Sequence, residues 1–460
     1  MRTTKPAAAG NPLSTGPLGR TIAKFAIPAI ISGLISAAYN IVDQIFIGQS
    51  VGLLGNAATN IAFPIVTISM SIALLFGVGS ASNFSLELGN GNTNKAVQLL
   101  ANGISLLVIC GLLIMTLVLS FLKPLLIAFG ATEQVLPYAL AYTGITAFGI
   151  PFHILGIGSS HLIRADGSPA YAMAATISGA ILNCFLDPLL IFVFDLGIAG
   201  AAYATVTGQA VTVLLALYYY WKKFKTAKLK KEHFKPSLER TKVIASLGAA
   251  ACFNQLAMSA VQIALNNTLR TYGASSIYGS DIPLACVGVI SKVNVLFMAF
   301  ILGIAQGCQP IFGFNYGAKN YSRVRETYKK ATVTVTAVCL ISFLCFQLFP
   351  RQIVSIFGEG DELYFEFAEK YFRIYLLFTF INGIQPLTSN FFTSIGKAKM
   401  GIAMSLTRQI IFLLPLILIL PMFLGINGVM YAGPVADAAA VALAACFASH
   451  EMKQMRMLEK

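Results

Sequence analysis

The chain has 460 residues, of which 57% are hydrophobic and 11% charged. A soluble domain carries roughly 25% charged residues, so this composition excludes a soluble enzyme or binding module. The net charge of +14 does not point to nucleic acid, because the cations collect in connectors, above all Trp221 to Lys242, as the positive-inside pattern of a membrane protein requires.

The first twenty residues are polar and rich in Pro and Gly, without the apolar core of a cleavable signal, so the first hydrophobic run is expected to be retained. Apolar runs then recur at a length that crosses about 30 Å of hydrocarbon. They predict twelve helices: 21–48, 57–85, 96–122, 139–163, 170–194, 198–221, 243–269, 283–311, 331–349, 368–394, 399–423 and 427–449. The fold class is therefore all-α and polytopic. A first lobe over 1–221 is joined by a basic linker, 222–242, to a second lobe over 243–460. The even connectors and both tails hold 25 Lys and Arg against five in the odd connectors, which puts both termini in the cytoplasm.

In span 1 the stretch Tyr39-Asn40-Ile41-Val42-Asp43 sets an amide and a carboxylate inside an apolar run, fifteen residues after Pro28. An intramembrane carboxylate costs about 2.5–3.5 kcal/mol on insertion scales, so it marks a functional site by default. Pro28 removes a backbone hydrogen bond and provides a kink or hinge. Span 5 carries the second deep acid, Asp187, four residues after Asn183 and thus on the same helix face. Pro188 frees the carbonyl of Cys184 one turn back. Thr205 in span 6 adds a hydroxyl. Carboxylates, an amide and a loose carbonyl suit a proton or a hard cation such as Na⁺. Burial and mutual repulsion oppose holding both carboxylates charged at once.

The second half repeats the first. Gly89, Asn92, Lys95, Phe129-Gly130, Gly197, Gly200 and Tyr203 recur 228 residues later as Gly317, Asn320, Arg323, Phe357-Gly358, Gly425, Gly428 and Tyr431. With six spans on either side of the basic linker, the copies are parallel repeats about an axis along the membrane normal, and the cleft between them is the natural substrate site. Lys292, Arg408 and Asp437 fall within spans 8, 11 and 12. They form a charge-compensated pair in that bundle or snorkel towards a cytoplasmic end, and their place well inside the spans favours burial of Lys292 and Arg408. Asn254 and Gln255 join other amides that line a wet cavity or hold helices together. His153 and His161 have no evident partner. The eight cysteines form no CxxC pair and read as free, buried thiols. Walker, HExxH and GxSxG motifs are absent, so no enzyme and no ATP drive is indicated.

These residues together resemble a family. "GPLGRTIAKFAIPAI" leading into "YNIVDQIFIG", then "LGNGNTNKA", "LNCFLDPLLIF", "GIAGAAYATVTGQ" and "QGCQPIFGFNYGAKNYSRVRETYKKA", in this order, are similar to the multidrug and toxic compound extrusion (MATE) transporters over nearly the whole chain. The resemblance implies twelve transmembrane helices in two pseudo-symmetric six-helix bundles forming a V. It implies a monomer in the lipid bilayer that exports bulky, often cationic, amphipathic drugs in exchange for H⁺ or Na⁺, without a cofactor. It places the coupling site on Asp43, Asn183, Asp187 and Thr205, the bending proline on Pro28, and supporting tyrosines on Tyr39 and Tyr142. Some branches of the family carry acids in spans 7 and 10; here span 7 offers only amides, and Glu366 and Glu369 lie at the outer edge of span 10. The rival reading is a lipid-linked oligosaccharide flippase of the same superfamily, which needs deep cations for pyrophosphate.

Overall fold

The structure, a computed structural model, describes residues 12–279, 281–356 and 361–459. The tail cations Arg2, Lys5 and Lys460 and the repeat landmark Phe357-Gly358 lie outside the described residues. Helices account for nearly all of the described chain, with no strand among them. Eleven are long and apolar enough to cross a membrane: Leu18–Val51, Leu54–Gly89, Thr93–Ser120, Leu136–Ala165, Pro169–Val193, Gly197–Lys223, Leu238–Ala274, Ile282–Gly317, Tyr321–Leu348, Ala398–Leu424 and Ile426–Leu458. The remaining crossing, the tenth in chain order, is built from three pieces, Glu362–Tyr375, Thr379–Asn382 and Ile384–Ser394. The continuous helix expected over 368–394 is thus broken, and its first piece is strongly charged on one side, where Glu362 and Glu369 meet Arg351.

The repeat is visible in the helix ends. Thr93–Ser120 and Tyr321–Leu348 are both 28 residues long and start 228 residues apart. Each is followed by a short lateral helix, Leu122–Ala128 and Pro350–Ser355. Gly197 and Gly425 take φ values of +52° and +58° at the same point of each copy, a left-handed turn that glycine enters without a Cβ penalty.

The lobes meet through spans 1 and 8 and through spans 2 and 7. Small residues let these backbones touch, as packing without a hydrophobic driving force demands. A Cβ on Gly89 would stand 2.0 Å from the Phe314 carbonyl oxygen, and one on Gly317 would stand 2.1 Å from that of Leu86. Leu75 and Phe314 belong to one copy each, and further along the seams Gly248 lies against Leu75, Gly303 against Ile30 and Gly307 against Ala26. Hydrogen bonds add to this junction: Gln309 Nε2 donates to Ser82 Oγ at 2.8 Å, Asn83 Nδ2 to the Val243 carbonyl at 3.2 Å, and Arg164 Nη1 to Gln306 Oε1 at 2.9 Å. All these contacts fall in the half that bears the tails and the linker. Towards the other end Asn40, Gln262, Asn266 and Lys292 are exposed. The molecule is a V, joined at the tail-bearing end.

The span 6 helix runs to Lys223 and the span 7 helix starts at Leu238. Between them the linker is pinned to the first lobe. Asn102 in span 3 donates to the His233 carbonyl and accepts from Ser237 N–H. Asp166, between spans 4 and 5, accepts from the Tyr219 hydroxyl at 2.6 Å and from the Lys225 and Thr226 N–H groups at 2.8 and 3.1 Å. Burial pushes the Asp166 carboxyl above its ordinary value, and these bonds only partly offset it.

Candidate functional site

Span 1 runs unbroken from Leu18 to Val51, through Pro28, whose carbonyl accepts from Ser32 Oγ at 2.8 Å. In this structure Pro28 does not interrupt the helix. Fifteen residues on, Asp43 faces span 5. There the α-helix Pro169–Pro188 gives way to a wider π-turn, Leu189–Val193, at the point where Pro188 lacks an N–H to donate. Such turns re-aim the side chains beside them and are common at functional sites.

The register brings Asp43 and Asp187 within hydrogen-bonding distance of each other. Asn183 Nδ2 donates to Asp187 Oδ1 at 3.4 Å. Asp187 is fully buried and Asn183 nearly so. Asp43 Oδ1, Asn183 Oδ1 and Asp187 Oδ2 are enclosed and have no protein hydrogen-bond partner. Two carboxylate anions in such contact repel; one proton or one metal cation between them turns the contact attractive.

The surroundings hold this geometry. Gly179 and Gly208 let spans 5 and 6 touch, and a Cβ on Gly208 would stand 3.2 Å from Cβ of Asn183. Ile47, Ile191 and Ala201 close an apolar cluster beyond the carboxyls, with Phe46 set edge-on against Phe192. The Asn40 amide, next to Tyr39 in the chain, donates to the Ser36 carbonyl at 2.7 Å. Tyr142 from span 4 lies near both carboxyls.

Thr205 stands on span 6 between Ala201, which packs with Ile47 and Ile191, and Gly208, which meets Asn183. It lines a small cavity among spans 2, 4 and 6 with Ser69, Thr146, His153 and Gln209, and Tyr142 is the residue this cavity shares with the carboxyl pair. His153 and Gln209 line this cavity and sequence reasoning left them unassigned; a histidine two residues after Pro151 inside span 4 was the available signal.

In the second lobe Arg408 and Asp437 form the expected pair, Nε to Oδ1 2.6 Å, with Asp437 buried and Arg408 half-buried. Arg408 sits in a second π-turn, Thr407–Leu413. Lys292 is the correction: it is exposed, not buried. It lies two turns from Ala299, where span 8 meets Gly33 of span 1, and its exposure avoids the cost of burying an unpaired ammonium. Asn254 and Gln255 are half-buried, Asn254 against Met258 Sδ. All eight cysteines are free, but Cys345 and Cys446 are exposed rather than buried.

The seam contacts also correct the repeat. Leu75 and Gly303 are images at the offset of 228, and their partners are Gly248 and Ile30. Gly248 is therefore the image of Ile30, which makes Val261 the image of Asp43. The first helix of each copy has a shorter offset than the rest, and the acid has no counterpart in the second lobe.

The statistical description of one family, MatE, matches residues 28–189 and 250–419. The chain belongs to the MatE family. Among the curated proteins this MatE chain is similar to the multidrug export protein MepA of Staphylococcus haemolyticus, at 24% identity over 91% of both chains, and to MepA of Staphylococcus aureus, at 24% over 92% of this chain and 91% of that one. Its fold matches a MOP superfamily transporter from Pyrococcus furiosus with a TM-score of 0.90 at 23% identity, over 99% of this chain and 100% of the other. It also matches a multidrug resistance MATE family transporter in an outward-facing conformation, with a TM-score of 0.89, 23% identity and the same coverage. These structures share its twelve-helix fold, and the broken tenth crossing is the twelfth membrane element that the count of continuous helices omits.

Proposed function

We propose that this MatE chain is a secondary active exporter of bulky, amphipathic, often cationic compounds, driven by exchange for H⁺ or Na⁺ through alternating access, with the tails and linker in the cytoplasm. The names of the curated relatives support multidrug export. The observation that carries coupling is the pair Asp43 and Asp187, in contact inside the first lobe with three enclosed oxygens unpartnered.

A ligand shifts a two-state equilibrium only by its differential affinity for the two states. A cation arriving at this pair relieves repulsion between span 1 and span 5 and tightens their contact. Span 1 is also the strand of the seam that touches span 8, so a change in its course is felt by both lobes. Pro28, two residues from the Ile30 contact, is where the helix can bend with one backbone bond fewer to break. A proton needs only one carboxyl oxygen, whereas Na⁺ draws on about five or six oxygens, so the three here are completed by water or by the Cys184 carbonyl. The flippase reading loses ground because Arg408, one of its two deep cations, is consumed by Asp437.

The test is transport in proteoliposomes with a pH gradient and a sodium gradient imposed separately. Wild type is expected to export under one of them, and Asp43→Asn and Asp187→Asn to abolish the gradient response. Undiminished gradient-driven export by either variant would falsify the coupling role.

A further inference from the structure

The seam between spans 1 and 8 has a readable register. Ala26 meets Gly307, Ile30 meets Gly303 and Gly33 meets Ala299, the last with a Cβ separation of 3.3 Å. The helices run antiparallel, so seven residues on along span 1 and seven back along span 8 give the next pair on the same faces, two turns further out. That pair is Asn40 and Lys292. Both are exposed, and a Cβ on Gly288, one turn beyond Lys292, meets nothing within 4 Å. The helices have parted here, and the two side chains face one another across the open cleft.

The neighbouring seam ends in the same way. Gly248 touches Leu75, and steps of seven from there place Gln255 and Gln262 on the span 7 wall, opposite Ile68 and Ile61 of span 2. Gln262 Nε2 donates to Asn266 Oδ1 at 3.0 Å. The second-lobe wall is thus amide-rich, and Lys292 is the one charge among the described residues of span 8. Its ammonium makes no hydrogen bond or ion pair with any described residue. Asn40 does not satisfy it, and its own amide is already engaged with the Ser36 carbonyl. The second-lobe wall thus carries an unpaired ammonium, whereas the carboxyls of Asp43 and Asp187 are held inside the first lobe between spans 1 and 5.

A fixed cation costs something in a cleft meant for cations alone, since it repels them at close range. The seam register puts Lys292 on the face of span 8 turned towards span 1. We propose that Lys292 is a specificity residue of this cleft, which selects amphiphiles bearing a carboxylate or similar anionic group together with their cationic centre. This rests on the export reading above and narrows its substrate class to zwitterions. The ammonium takes the anionic group by charge-assisted hydrogen bonds, stronger than neutral ones.

Rhodamine B, a zwitterion with a free carboxylate, and its ethyl ester, a cation, form a matched probe pair for binding to the purified full chain by fluorescence polarisation. Lys292→Gln is expected to weaken rhodamine B about tenfold, the scale of one charge-assisted contact, and to leave the ester unchanged or slightly tighter. Lys292→Arg is expected to keep rhodamine B binding within about threefold, because it retains the charge. Ester binding by each variant reports that the protein is folded. Equal loss of both dyes, or loss of neither, overturns the assignment. A wild-type protein that binds the ester but not rhodamine B overturns the zwitterion class while leaving export standing; one that binds neither overturns both.

Discussion

The two lobes each place an aspartate in a buried position beside a π-turn, and they finish it in opposite ways. Asp437 in the last span is closed by Arg408 at 2.6 Å, beside Tyr375. Asp187 in span 5 has an amide at 3.4 Å and a second carboxyl for company. The first arrangement is complete within the protein. The second is one positive charge short, and that deficit is what a transported cation can fill. Burial alone therefore does not mark the working acid; the absence of a resident cation does.

The largest effect that bears on this contrast is on stability. Removing one member of a buried ion pair strands its partner, at about 3–5 kcal/mol. Arg408→Met is expected to lower the thermal midpoint in detergent by that order, and Arg408→Met/Asp437→Leu to recover most of it. Asp187→Asn, by contrast, is expected to leave the midpoint unchanged or raise it, because it relieves a repulsion rather than orphaning a charge. If Asp187→Asn destabilises as strongly as Arg408→Met, the two sites are alike and the contrast fails.

A second, smaller effect concerns the junction that lets one lobe sense the other. Gly248 would set a Cβ 1.7 Å from the Leu75 carbonyl oxygen, whereas a Cβ on Gly19, in the first turn of span 1, meets nothing within 4 Å. Overpacking typically costs about 1–3 kcal/mol, so Gly248→Ala is expected to lose that much and to open the tail-bearing end, measured as faster hydrogen exchange of residues 75–86. Gly19→Ala is expected to be neutral or mildly stabilising, since it only restricts the unfolded chain. Equal behaviour of the two variants would mean the seam is not held by close backbone approach.

Much of this was legible in the sequence because intramembrane charges are scarce. Few acids lie deep in apolar runs, so Asp43, Asp187 and Asp437 stood out, and the 3.6-residue period put Asn183 beside Asp187. The spans were legible from hydropathy, except the tenth, where Glu362, Glu366 and Glu369 share a helix with Phe367 and Phe372 and the chain breaks twice before Ile384. What could not be read was anything set by where the lobes part. Lys292 sits in an apolar run and so reads as buried; its exposure follows from the seam ending at Gly33 and Ala299. The cavity holding Thr205, His153 and Gln209 depends on three helices from distant parts of the chain. The repeat offset, constant from Gly89 onward, shifts in the first helix of each copy, and only the paired contacts at Ile30 and Gly248 expose that.

Asp166 supplies an intermediate case and the smallest effect. It is buried outside the spans and satisfied by neutral donors: the Tyr219 hydroxyl, two linker N–H groups and the Thr226 hydroxyl. Burial outweighs those bonds and lifts its carboxyl above the ordinary 3.8. The native state then holds this proton more firmly than the unfolded chain does. Stability from this group is accordingly fullest at acid pH and falls as pH rises through the folded value. Asp166→Asn keeps the shape but turns an amide donor towards N–H groups, so a loss of about 1 kcal/mol is expected. The wild-type advantage over this variant should shrink as pH rises from the ordinary carboxylate value through the folded one, read as the difference in thermal midpoint. An advantage that widens instead would show the hydrogen bonds outweighing burial, and would move Asp166 from the company of Asp187 to that of Asp437.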